Sequence, residues 1–207
     1  MALTQVAKLA LESALTEPSA YTEIKAILEG TDHTSPLTAG TGITTGTGTV
    51  YKSWKEQNGG VIHTSIFIDI TGLQAEGSLN DVLGKDGNTA NCHLGQITTA
   101  VTGTIFAGQM SCLEVPGNVD ADLDLSAATD GTVAESADIT AATGFDLIQG
   151  VNIDWTADNT TTGVLKFAPA DLPGDGDYLY LSVGEAGTSD GTANAGQFLI
   201  EFWGTAS

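Results

Sequence analysis

The chain has 207 residues, with 26 acidic groups set against six lysines and no arginine, for a formal charge of −20. That balance argues against nucleic-acid binding, which needs clustered cations and the bidentate reach of arginine, and against anionic membrane surfaces. No apolar run approaches the ~20 residues of a membrane-spanning helix, and the length suits one sandwich or barrel with a small appendage.

The chain opens on Met-Ala-Leu-Thr-Gln, without the basic and apolar stretches of a secretory signal. Leu3, Val6, Ala7, Ala10, Leu11 and Ala14 recur at helical spacing, with Lys8 and Glu12 opposite, so residues 3–15 are predicted to form an amphipathic helix. Pro18 interrupts this pattern. Tyr21, Ile24 and Leu28 then form a second, shorter stripe that ends at Gly30. The predicted organisation is a helical segment over 1–30, a Thr/Gly-rich linker or arm over 31–57, and a β-sandwich over 58–207. The arm is inferred from the lack of large apolar groups in 31–49.

After Val61 the period becomes two. Ile62, Thr64, Ile66, Ile68 and Ile70 share one face, against His63, Ser65 and Asp69 on the other. Further strands are predicted at 97–101, 104–115, 119–125, 151–155, 163–167, 178–183 and 197–203, the last with Phe198, Ile200 and Phe202 on a single face. In the 119–125 segment Ala121, Leu123 and Leu125 alternate with Asp120, Asp122 and Asp124. Turn-rich stretches such as 84–88, 128–132, 173–177 and 187–192 separate these strands. Short strands joined by turns predict a mainly β protein: an antiparallel, jelly-roll-like sandwich behind a short helical start.

Chemistry is sparse. There is no Gly-x-Ser-x-Gly elbow, and the glycines from Gly40 to Gly48 neither follow an apolar strand nor open a helix. His33, His63, His93, Cys92 and Cys112 lack the paired spacing of a metal motif. The aspartates from Asp120 begin like a calcium loop, but Leu125 stands where such a loop turns on glycine. The expectation is no catalytic residue, no metal and no cofactor, with both cysteines reduced and at least partly buried.

The run Asn58-Gly-Gly-Val-Ile-His-Thr-Ser-Ile-Phe-Ile-Asp-Ile-Thr-Gly-Leu73 resembles the opening of the β domain in structural proteins of tailed phages. Ordered blocks at 81–85, 95–98, 103–108, 112–116, 178–181 and 195–201 extend the resemblance over about residues 58–203. It implies a capsid decoration, or cement, protein of the outer shell. Such a protein would be made in the host cytoplasm, partnered with the major capsid protein and commonly trimeric. On that reading Leu3, Val6, Ala7, Ala10, Leu11, Ala14, Tyr21, Ile24 and Leu28 are candidate contacts to the capsid or to a neighbouring subunit. The alternative is a receptor- or glycan-binding module of a fibre or tail.

Overall fold

The computed structural model describes residues 36–75, 77–148, 154–155, 163–184 and 191–206. The two predicted N-terminal helices and their nine candidate contact residues lie outside that set. Leu37–Ser207 form one compact unit.

In chain order the elements are α1 (Thr41–Thr44), β1 (Val50–Asn58), β2 (Val61–Asp69), β3 (Gln74–Ala75), β4 (Gly95–Gln96), α2 (Thr99–Thr102), β5 (Thr104–Gly117) and β6 (Leu123–Ala128). A 3-10 turn (Ile139–Ala142) follows, then β7 (Phe145–Asp146), β8 (Val164–Lys166), β9 (Tyr178–Val183), β10 (Gly191–Thr192) and β11 (Ala195–Thr205). One sheet runs β1-β2-β11-β5-β8 and a second runs β4-β9-β6-β7, with all pairings antiparallel; β3 and β10 pair separately.

The pairing is nested. Counting β2, β4, β5, β6, β7, β8, β9 and β11 as the first to eighth strands, the first pairs with the eighth, the second with the seventh, the third with the sixth and the fourth with the fifth. That is a long hairpin rolled into two layers, the jelly roll, with β1 added beside the first strand. The sandwich predicted from alternation is therefore the fold.

The core lies between the sheets. Ile66, Ile68, Ile70, Met110, Phe198, Ile200 and Phe202 line the five-stranded side. Leu123, Leu125, Leu179 and Leu181 share one face of the other sheet. Trp155 bridges the layers: its indole N–H donates to the Leu123 carbonyl at 2.8 Å, and its ring meets Phe198 edge-on at 5.6 Å.

Four expectations are corrected. The predicted linker over 31–57 is part of the body from Leu37 onward, since Leu37, Ala39 and Ile43 are buried and β1 begins at Val50. Its glycines serve close approach: the Gly40 and Gly42 amides donate to the His93 and Asn91 carbonyls. A Cβ at Gly42 would stand 2.3 Å from the Cys92 sulfur. No strand covers 97–101: β4 ends at Gln96 and α2 begins at Thr99, where the Thr98 carbonyl accepts from the Val101 and Thr102 amides. The strand expected at 119–125 runs from Leu123 to Ala128, and its aspartates do not face water: Asp120, Asp122 and Asp124 are all buried. Asp154 and Trp155 are the described part of the stretch expected as a strand at 151–155, and neither is in one.

Candidate interaction face

The outer side of the five-stranded sheet is assembled by register. One row crosses it as Trp54, Ser65, Glu201, Gln109 and Lys166. The row beside it is Lys52, Phe67, Leu199, Ser111 and Val164, and on the other flank lies Glu56, His63, Trp203 and Ala107. Trp54, Phe67, Leu199 and Trp203 are half-buried, which for large side chains on the outside of a sheet leaves apolar area facing solvent.

Two bulges add to that area. Trp203 pairs with Ala107 and Gly204 with Ile105, so Phe106 has no partner; it is 50 % exposed. Phe198 pairs with Cys112 and Gln197 with Glu114, leaving Leu113 unpaired and 56 % exposed. An extra residue on one strand re-aims its side chain in this way.

The polar groups between the aromatics are fixed to one another. His63 stacks on Trp203, with centroids 4.8 Å apart and planes 4° from parallel. Its Nε2 lies 3.0 Å from Glu201 Oε1, and the Gln109 amide donates to Glu201 Oε2 at 2.7 Å. Beyond them the Gln197 amide donates to Asp69 at 3.2 Å. The result is a rigid surface in which apolar side chains are interleaved with polar groups held in place. Lys52 and Lys166 stand on it, so this face is less acidic than the chain as a whole.

Other candidate groups lie elsewhere. Asp124 sits opposite Ser182 in the β6–β9 pair, and the Ser126 hydroxyl donates to Asp146 at 2.8 Å. Burial, reinforced by the nearby Asp122 and Asp146 carboxylates, pushes Asp124 up to about 7. Among the described residues, no three His, Cys, Asp or Glu side chains gather so as to hold a metal ion. His93 meets Tyr178 and Tyr180 edge-on, remote in sequence and in sheet from His63, and burial lowers its pKa.

Both cysteines are free thiols, Cys92 buried and Cys112 partly so. The Cys92 thiol donates to the Thr89 carbonyl at 3.0 Å, and burial with the Glu135 charge pushes it up to about 12. Among the described residues no helix is long and apolar enough to cross a membrane.

Comparison with protein families, curated proteins and solved structures found no match.

Sequence reasoning missed this face because its members come from β1, β2, β5 and β11. A signal was nonetheless present. Phe67, Leu199 and Trp203 fall on the polar side of strands whose other side is already apolar.

Proposed function

We propose that this protein is a non-catalytic structural module that adheres to a larger protein assembly through the outer face of its five-stranded sheet. The observation that carries the reading is the cluster of Trp54, Phe67, Leu199 and Trp203, flanked by the bulged Phe106 and Leu113, on a hydrogen-bonded sheet. Aromatic anchors on a rigid surface with fixed polar neighbours are what a stable protein contact uses. The resemblance to tailed-phage virion proteins gives the assembly a concrete form: the outer capsid surface, with the major capsid protein as partner and shell stabilisation as the outcome.

The test is co-sedimentation of the full chain with capsids of the phage that encodes it, followed by heat challenge of the particles. Trp54→Ala with Trp203→Ala together should leave a folded protein whose occupancy falls at least tenfold, since two truncated anchors at ~2 kcal/mol each are ample. Unchanged occupancy sinks the assignment of the face. A parallel deletion of residues 1–35 asks whether the N-terminal segment carries attachment instead.

Trp203 beside Glu201, Gln109 and His63 also has the makings of a sugar-stacking site. A glycan array separates the two readings, because a capsid-binding protein ignores it.

A further inference from the structure

We propose that two copies of this chain pair through β1 across a two-fold axis at Trp54, joining their five-stranded sheets into one. This inference is independent of which partner the outer face meets. Among the described residues, β1 ends its sheet and pairs with β2 alone, so nine residues of strand present an unpaired edge. Exposed edges of this length invite pairing with a second chain.

The backbone pattern follows from the hairpin. β1 and β2 are joined by Gly59 and Gly60, and the closing pair is Asn58 with Val61. A two-residue turn closes on a pair that exchanges both hydrogen bonds, and such pairs alternate along the ladder. Asn58, Glu56, Trp54, Lys52 and Val50 therefore bond inward to β2. Tyr51, Ser53, Lys55 and Gln57 turn their N–H and C=O groups outward.

Antiparallel pairing about Trp54 sets Ser53 on Lys55 of the second copy and Tyr51 on Gln57 of the second copy. Every outward group then meets an outward group. The same register uses all nine residues and places Lys52 beside Glu56 of the second copy, twice, with the two Trp54 rings adjacent between those pairs. Lys52 and Glu56 are exposed, and among the described residues neither makes an ion pair within its own copy.

Neighbouring registers lose this match. Centring on Ser53 sets Lys52 against Trp54, and centring on Lys55 stacks that lysine on itself. With two lysines and one glutamate β1 is a cationic strip on a chain of charge −20, so mutual repulsion is weak there, and the opposite edge strand β8 has only three residues to pair. The geometry gives a two-fold contact, where the phage resemblance implies a threefold one.

The test is sedimentation equilibrium on the full chain and on charge variants across the micromolar range. A dimer is expected. Lys52→Glu and Glu56→Lys should each weaken it at least tenfold by setting like charges opposite, and the doubly exchanged protein should recover the original affinity. Lys55→Pro removes an outward N–H that β2 does not use, so it should yield a folded monomer. A monomeric or trimeric wild type overturns the proposal, as does a double exchange as weak as the single ones, or a folded Lys55→Pro protein that still dimerises. Should Lys55→Pro fail to fold, the charge exchange decides alone.

Discussion

Replacing Asp124 with asparagine should make the protein more stable at pH 8 and leave it nearly unchanged at pH 4. Asp124 is 9 % exposed, with Ser182 opposite and the carboxylates of Asp122 and Asp146 as charged neighbours, so its ionised form is disfavoured in the fold and its pKa rises to about 7. In the unfolded chain the same group titrates near ~3.9. Between these two values the native state holds a proton that the unfolded state has lost, so stability is full at low pH, falls as pH rises through the interval, and levels off above about 7. The gap corresponds to an upper limit of ~4 kcal/mol, at 1.36 kcal/mol per pH unit. Asparagine keeps the shape of the protonated side chain and cannot ionise. A gain of roughly 2–4 kcal/mol at pH 8 is therefore expected, shrinking towards zero at pH 4.

Urea unfolding of both proteins at a series of pH values reads this directly. Carboxylates remote from Asp124 are common to both proteins and cancel, so the difference reports Asp124 together with its coupling to the neighbouring charges. A variant no more stable than wild type at pH 8, or a difference that does not change with pH, refutes the reasoning.

Two further outcomes are expected. Trp155→Phe keeps the edge-on ring contact to Phe198 but deletes the donor to the Leu123 carbonyl, and should lower unfolding free energy by ~1–3 kcal/mol by thermal or urea denaturation. Thiol titration at pH 8 should modify Cys112 ahead of Cys92 in the native protein, because Cys92 is the more buried and its thiol is held up to about 12; prompt labelling of Cys92 without denaturant would contradict the packing described.

Strands with one dry and one wet side were legible from residue order. In β2 and β11 the buried apolar residues fall on alternate positions, and the sandwich followed from them. β1 escaped because most of it is exposed: Lys52, Lys55, Glu56 and Gln57 interrupt Tyr51 and Trp54, so no apolar face stands out. β6 misled for the opposite reason. Both of its sides are covered, so the alternation of aspartates with leucines did not separate an inner from an outer face, and Asp120, Asp122 and Asp124 are all buried. The outer face left only a scattered signature, large apolar residues on the polar side of β2 and β11, since register alone brings Trp54, Phe67, Leu199 and Trp203 together.

The stretch from Leu37 to Ile43 has a practical corollary. Anyone trimming this chain at its compositional seam, discarding the threonine- and glycine-rich stretch as a tether, would remove part of the packed core. Leu37 exchanges backbone hydrogen bonds with the Ser53 hydroxyl, and Ile43 is wholly enclosed. Low complexity there encodes a tight fit, and expression boundaries should be drawn upstream of it.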